Sequence, residues 1–517
     1  MSADVPIHQH ADDSRRSGKL SELQIMSGQD SSEKRFSMPW AIHRSWKSEA
    51  ASYQSLNEFL DHGVERLHLT ATIPFPPSST SADTRPIYSN SVGTSRPKLA
   101  LALALHYLHF LDLARSDYTL AVLVESPCHL QVPPEHKGPK SEAFRVMVGV
   151  LKNKLRANIP ELSDSFWKRV KDATELEMRP LSSTNENETQ NPWRKVRVMP
   201  ALLRIFTRVN LIVFMGQEHA DRADVYDDVM MFFFSCAKAF PILGMVPRFL
   251  LPYIGLLAMG LGRTRQKVYD LFVLLTRQAI DKIPIDAKLP TPSNIAHWAA
   301  EMTRCKDVFA IAKITLGLLF ASAFQVPMVA QFCIHSLCTH PEYHKRLRAE
   351  ALQYRDASFS ATNQEMPLLD SFIKETARLT PGIILSAPRT VMIPFTSAEG
   401  YHVPTGNWLA IPQVSLMQDP KIWAHAPSLC GFRFVDETGV SKTRFTHPNY
   451  EFPFWGSIRH AYPARFYVCV VLKMILSYIM VEYELELMDA ERAPFVTFGM
   501  IRLPNPFMCI LVRRRVA

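Results

Sequence analysis

The feature that most constrains the fold is an ordered series of short motifs in the C-terminal part of the chain. A Glu-x-x-Arg pair, Glu375 and Arg378, comes first, and the Asp-Pro pair 419–420 and then Arg433 follow it. The stretch 454–466, Phe-Trp-Gly-Ser-Ile-Arg-His-Ala-Tyr-Pro-Ala-Arg-Phe, closes the series. On a helix Glu375 and Arg378 share one face and can pair. Such pairs are common on solvated helices, so the order of the whole set is what makes the pattern specific.

This ordered set resembles the cytochrome P450 family in its fungal form, and is most similar to members that oxidise terpenoids, such as ent-kaurene oxidase. The resemblance runs from about residue 40 to the C-terminus and implies a mainly α fold with small β-sheets. In the family, the stretch 454–466 is the haem-binding loop. The resemblance also implies that Glu375, Arg378 and Arg433 form a buried triad that serves folding and not catalysis.

The chain departs from the family pattern at the haem itself. Tyr462 stands in the place of the cysteine ligand, and Ile458 stands in the place of a glycine. A thiolate pushes electron density onto the iron and favours O–O cleavage, whereas a phenol oxygen does not supply the same push, although tyrosine ligates haem iron in catalase. Glycine lets the backbone approach a flat ligand, and isoleucine is stiff and bulky. The oxygen chemistry of the family is therefore expected to be lost.

A second departure lies in the apolar stretch 297–337, which is predicted to form one long helix with a kink at Pro327. In the family this helix carries an acid or histidine followed by threonine, which deliver protons to iron-bound oxygen. Here those places hold Phe324 and Gln325. Phenylalanine cannot relay a proton, and glutamine is neither acid nor base near neutral pH. Losses on both faces of the expected cofactor predict that the protein is not a monooxygenase.

Arg389 and His460 lie where the family contacts the haem propionates. Their presence keeps haem binding open, and it also leaves positive groups that could hold an acidic substrate. We predict Gln325 and Tyr462 as candidate catalytic residues, and Phe324, Arg389 and His460 as candidate substrate-binding residues. Tyr462 is a metal ligand only if haem is bound.

Composition excludes several other classes of function. The net charge is +9, but no basic cluster is interleaved with aromatic residues, so nucleic acid is not an expected partner. The eight cysteines include no Cys-x-x-Cys pair, which argues against a zinc site. Residues 1–36 are polar and are predicted to form a disordered tail without a membrane anchor, followed by one P450-like domain over 37–517. The expected location is cytoplasmic.

The segment 240–262 is the most hydrophobic part of the chain. Three prolines interrupt it, and its longest uncharged run, 249–262, is too short to span a bilayer. The segment either caps a substrate pocket or makes peripheral contact with a membrane such as the endoplasmic reticulum surface.

Three functions remain open on these residues. The first is a haem-independent cyclase or pericyclase (Diels–Alderase-like), or an isomerase, acting on a lipophilic, terpenoid-type intermediate of fungal secondary metabolism. It would need no cofactor and no obligate reductase, because holding reacting ends in a near-attack geometry can supply roughly 7–11 kcal/mol. The second is a haem protein with Tyr462 as ligand and an atypical oxidation or isomerisation. The third is a non-catalytic binding or partner protein of a biosynthetic pathway.

Overall fold

The structure is a computed structural model, and it describes the C-terminal three quarters of the chain. The described residues are 142–178, 193–243, 251–258, 262–281, 294–303, 307–354, 366–391, 393–397, 400–456, 458, 461–489, 493–498 and 501–515. The predicted polar tail, 1–36, lies outside the described residues.

Helices make up most of the described chain, which confirms the predicted mainly α fold. They are α1 Glu142–Gly149, α2 Arg156–Met178, α3 Val198–Ala220, α4 Ala223–Leu243, α5 Leu251–Ala258, α6 Arg263–Asp281, α7 Ile295–Met302, α8 Val308–Ser322, α9 Gln325–Thr339, α10 His344–Gln353, α11 Pro367–Leu379, α12 Gln413–Met417 and α13 Arg465–Glu482. A π-helical segment, Val150–Leu155, joins α1 to α2, and 3-10 turns span Pro341–Tyr343 and Pro453–Trp455.

The predicted small sheets are also present. Their strands are β1 Arg194–Arg197, β2 Leu385–Thr390, β3 Phe395–Thr396, β4 His402–Val403, β5 Trp408–Pro412, β6 Tyr483–Leu487, β7 Phe495–Phe498, β8 Ile501–Pro504 and β9 Cys509–Arg514. Strand β9 lies between β1 and β6 in an antiparallel sheet, with Val512 opposite both Arg194 and Leu485. Strand β7 pairs with β8, and β2 pairs with β5. Residues 389–409 group as a small unit of their own, in which β3 pairs with β4.

The core is built around α13. This helix packs against α2 and α9, and α3 packs against the same two helices. Every residue from Tyr467 to Val481 is buried, because the helix is apolar on nearly all sides and needs neighbours all round. Lys473 is the charged exception, and its ammonium lies 2.7 Å from the Asp370 carboxylate.

The prediction of one long helix over 297–337 is wrong, because capping groups divide the stretch. Helix α7 ends at Thr303, whose backbone is extended and whose hydroxyl donates to the Ala299 carbonyl at 2.6 Å. Helix α8 begins after Asp307, whose carboxylate accepts the Phe309 backbone N–H at 2.9 Å. An aspartate in that position satisfies amide groups that the first helical turn leaves unpaired.

A second break separates α8 from α9 at Ala323 and Phe324. Pro327 is the third residue of α9. A proline there removes no helical hydrogen bond, since the first N–H groups of a helix have no partner within it. Pro327 therefore lies in the first turn of α9, just after an interruption at which Ala323 and Phe324 keep right-handed helical backbone angles. The predicted kink at Pro327 stays a prediction.

Two stretches of the described chain are long and apolar enough to cross a bilayer by length and composition alone. They are α3, of 23 residues, and α8–α9 taken together, of 32 residues; 78% and 44% of their most apolar windows are buried. Core helices pass the same test. Because α3 and α9 pack into the helical core around α13, packing accounts for their composition.

Candidate functional site

The loop that carries Tyr462 is held by hydrogen bonds to its own backbone and to the preceding segment. The Tyr462 N–H donates to the Trp455 carbonyl at 2.7 Å. The Trp455 indole N–H donates to the Phe445 carbonyl at 2.7 Å. Gly456 has φ 90° and ψ −163°, a conformation open essentially to glycine alone. The backbone of the turn therefore requires the first glycine of the motif.

Tyr462 is held between an aromatic ring and an amide. Its ring plane lies 9° from that of Trp455, with centroids 6.1 Å apart. The Gln325 side chain approaches its hydroxyl closely enough to affect its pKa. Burial raises the pKa of Tyr462 to about 12 and outweighs the interaction with Gln325, which acts to lower this pKa. Tyr462 is therefore a neutral phenol at neutral pH.

Gln325 owes its position to the second break in the central stretch. It is the first residue of α9, directly after the turn formed by Ala323 and Phe324. The Phe324 ring packs on Phe233 of α4, with centroids 6.1 Å apart. Of the predicted site residues, Gln325 and Tyr462 are thus in contact with each other, while Phe324 lies against α4.

A polar group that sequence reasoning missed lies close to this pair. Asn210 of α3 is 1% exposed. Its carbonyl oxygen accepts from the Tyr467 hydroxyl at 3.1 Å, and its amide donates to the Ser322 hydroxyl at 2.7 Å. Ser322 in turn donates to the Leu319 carbonyl at 2.7 Å. The one sequence signal was an asparagine in the middle of an otherwise apolar helix, where an unpaired amide would be costly.

The predicted triad is assembled on α11 and the segment that follows α12. Glu375 and Arg378 are both fully buried, and the Arg378 guanidinium binds the Glu375 carboxylate at 2.8 and 2.9 Å. Arg433 reaches the same carboxylate at 3.0 Å. Arg378 also donates to the backbone carbonyls of Met417 and Ala426. One carboxylate thereby ties α11 to the segment that precedes the Tyr462 loop.

A second buried polar layer on α11 was also missed. Lys374 is fully buried, donates to the Thr443 hydroxyl at 2.7 Å and lies 4.3 Å from the centre of the Phe434 ring. Burial lowers the pKa of Lys374 to about 8. Asp370, one turn earlier, accepts the Phe445 backbone N–H at 2.6 Å. These contacts fix the segment that leads into Trp455.

Three further residues of the predicted haem region are His460, Arg389 and Ile458. His460 lies outside the described residues, and the side chain of Arg389 in β2 also lies outside them, so their predicted role at propionates or a substrate carboxylate stays a prediction. Ile458 is described and is 46% exposed. Its bulk is therefore accommodated largely in solvent rather than in the core.

The residues present do not fit a haem in the family's position. There the expected cofactor lies between the loop that carries Tyr462 and the helix that carries Gln325. In this chain those two places hold an amide and a phenol whose side chains approach each other, so neither side offers the groups with which the family holds haem and handles its oxygen. The side chain in the ligand position is a neutral phenol and not an anion.

Two buried cysteines, Cys469 and Cys333, do not replace the missing thiolate. Cys469, in the second turn of α13, is buried and its thiol lies 3.6 Å from the Asp370 carboxylate. Burial raises the pKa of Cys469 to about 12 and also raises that of Cys333. Both thiols are protonated at neutral pH.

A separate cavity of about 210 Å³ lies at the β1–β9–β6 sheet. Its lining includes Lys195, His335, Met488, Asn505 and Cys509. None of the predicted site residues lines it, so it is distinct from the Gln325–Tyr462 pair.

Comparison with known proteins gives matches of three kinds. The family model described as Cytochrome P450 matches residues 307–457. Cytochrome P450 monooxygenase olcJ of Penicillium canescens is 26% identical over 380 residues, which are 71% of this chain and 70% of that protein. Ent-kaurene oxidase of Gibberella intermedia is 26% identical over 339 residues, which are 62% of this chain and 63% of that protein.

Among solved structures, retinoic acid bound cyanobacterial CYP120A1 matches with a TM-score of 0.56 and 15% identity, over 77% of this chain and 83% of that one. This likeness shows the fold. The family normally binds haem, and the matched residues include the α11 motif and the start of the altered loop. The family model over residues 307–457, the fungal relatives and the shared fold together support the assignment of this chain to the cytochrome P450 superfamily, as a member of the fungal type.

Proposed function

We propose that this chain is a haem-independent cyclase of the pericyclase (Diels–Alderase) kind, or an isomerase, acting on a lipophilic, terpenoid-type intermediate of fungal secondary metabolism. The observation that carries the proposal is the close approach of the Gln325 and Tyr462 side chains, which occupy the two positions where the family keeps its oxygen-activating groups. The fungal relatives support a biosynthetic role, and the ent-kaurene oxidases among them support a terpenoid-type substrate.

The pair has the chemistry of a hydrogen-bond donor aimed at a carbonyl. A phenol has one proton, and its oxygen also accepts. In the proposed arrangement the Gln325 amide is the donor to that oxygen and the Tyr462 proton serves a substrate carbonyl, since donors linked in a chain strengthen one another. Such a donor lowers the energy of an alkene conjugated to the carbonyl as charge develops there. Removal of one preorganised donor of this kind typically costs roughly 10²–10³ in rate.

A cyclisation suits a scaffold without redox groups at the site. In a [4+2] cyclisation two carbon–carbon σ bonds form from π electrons that the substrate already holds, and one new π bond remains. No oxidant, reductant or leaving group takes part. The protein contributes binding in one reactive conformation, which is where the largest part of such a rate enhancement arises. No reductase is required as a partner.

The direct test is incubation of the purified protein, without NADPH or reductase, with a panel of linear and partly cyclised terpenoid carbonyl compounds. We expect a product of unchanged mass, and we expect Tyr462→Phe and Gln325→Leu to slow its formation by about 10²-fold or more. Tyr478→Phe is the matched control, because this tyrosine of α13 donates to Glu175 at 2.7 Å and does not contact the pair. A product with one added oxygen that needs NADPH would overturn the proposal.

Peripheral membrane contact through 240–262, at the cytoplasmic face of the endoplasmic reticulum, belongs to the same proposal. Helix α5 supports it, because Tyr253 and Leu257 are 69% and 64% exposed and apolar side chains in this position can enter a lipid surface. Flotation with phospholipid vesicles tests it. We expect Tyr253→Ser with Leu257→Ser to reduce the floated fraction, and equal flotation of both proteins would refute it.

A further inference from the structure

Asn210, Tyr467 and Ser322 form a buried connection, here called the Asn210 bridge, between three separate helices. Tyr467 lies at the start of α13, Asn210 in the middle of α3, and Ser322 at the end of α8. The two bonds that involve Asn210, at 3.1 and 2.7 Å, use both the oxygen and the nitrogen of its amide. Each arm of the amide therefore holds a different helix.

The Asn210 bridge connects the two parts of the chain that carry Tyr462 and Gln325. Tyr467 follows Tyr462 by just over one helical turn of sequence, and Ser322 is the last residue of α8 before the break that precedes Gln325. The bridge therefore holds the two segments from which the reactive side chains project. Its own members do not contact a common ligand.

Stability alone does not account for a polar bridge here. The neighbours of Asn210 on α3, such as Val209 and Leu211, are fully buried apolar residues. Burying an amide and two hydroxyls costs desolvation, and well-packed apolar side chains are often as stable as the polar set that they replace. A fully bonded polar network instead fixes one arrangement of the elements that it joins.

We infer that Asn210, with Tyr467 and Ser322, is a positioning residue that sets the distance between Gln325 and Tyr462. The Ser322 arm fixes where α8 ends and hence where Gln325 begins α9. The Tyr467 arm fixes the start of α13 and hence the end of the Tyr462 loop. The inference rests on the proposed function in that it takes Gln325 and Tyr462 as the reactive pair.

The chain offers a matched pair of substitutions for the test. Ser322 and Thr315 both lie on α8, and both hydroxyls donate to a carbonyl of their own helix, at 2.7 and 3.0 Å. Only Ser322 also accepts a hydrogen bond from another helix. Ser322→Ala therefore removes one arm of the bridge, while Thr315→Val removes a hydroxyl without touching it.

The readout is the ¹⁹F resonance of Tyr462 in protein labelled with 3-fluorotyrosine. The chain has 15 tyrosines, and the signal that disappears in Tyr462→Phe assigns this one. We expect Ser322→Ala to move the Tyr462 signal and Thr315→Val to leave it in place, with circular dichroism showing that both variants are folded. Ser322→Thr, which keeps the hydroxyl, is expected to restore the wild-type signal.

A double variant separates positioning of Gln325 from general disturbance. If the Ser322 arm acts on Tyr462 through Gln325, then Ser322→Ala moves the Tyr462 signal in wild type and adds nothing in the Gln325→Leu background. An additional shift of equal size in that background, or no shift in either, overturns the inference. The measurement needs no substrate, so its result is independent of the activity assay. A moved signal without any cyclisation refutes the proposed function alone. Cyclisation with an unmoved signal refutes the positioning role of the Asn210 bridge alone.

Discussion

Wild-type protein is expected to fail to bind haem through Tyr462, and the structure sets the size of the barrier. Ligation requires the phenolate. With a pKa of about 12, deprotonation at pH 7 costs about 7 kcal/mol, against about 4 kcal/mol for a tyrosine with the ordinary value of 10. Burial therefore adds about 3 kcal/mol, a penalty of roughly 10²-fold relative to an exposed tyrosine.

The assay is titration of the purified protein with haemin, followed by the visible absorption spectrum and by its reduced carbon monoxide complex. The informative variant is Gln325→Thr with Tyr462→Cys, which restores both family residues and removes the direct contact. We expect saturable one-to-one binding in this variant and not in wild type, while Tyr462→Cys alone keeps the obstructing amide and binds weakly. A tight one-to-one complex of the wild type, with a tyrosinate–iron spectrum, would refute the argument from burial and contact.

Three further predictions concern the scaffold. Glu375→Gln should lower the free energy of unfolding by about 3–5 kcal/mol in urea titrations, because it leaves buried arginines uncompensated; Asp224→Asn, in an exposed ion pair, should show no measurable change, and equal effects would contradict the assignment. Burial lowers the pKa of Lys374 from 10.5 to about 8, so between these pH values the unfolded chain holds one proton more than the folded chain. The free energy of unfolding of wild type relative to Lys374→Met should therefore rise by roughly 3 kcal/mol from pH 8 to 10.5. A difference between the two proteins that does not change with pH would contradict the lowered pKa. Gly456→Ala should lower the free energy of unfolding by about 1–3 kcal/mol because of the backbone conformation at this position. Gly382→Ala should lower it less, because the added carbon would lie at an ordinary 3.5 Å from Met328. The reverse order would exclude backbone strain as the cause.

Much of the fold was predictable because its signals are local or ordered along the chain. The Glu375–Arg378 spacing, the glycine at 456 and the closing strands follow from helix periodicity, backbone sterics and alternation, which act over a few residues. The long central helix was predicted wrongly for the opposite reason. Continuous hydrophobicity does not reveal that Asp307 caps α8 or that the helix is interrupted at Ala323 and Phe324.

Some features of the candidate site could likewise be predicted from the sequence, and others could not. The residues themselves determined that Tyr462 and Gln325 stand in the family's oxygen-activating places, since a side chain's proton chemistry is a property of its type. The sequence could not determine that the two side chains approach each other, that Ile458 is about half exposed, or that Asn210 joins Tyr467 across 257 residues of chain. Those contacts depend on how separate helices pack and on which polar groups remain paired once water is excluded, and only the tertiary structure decides them.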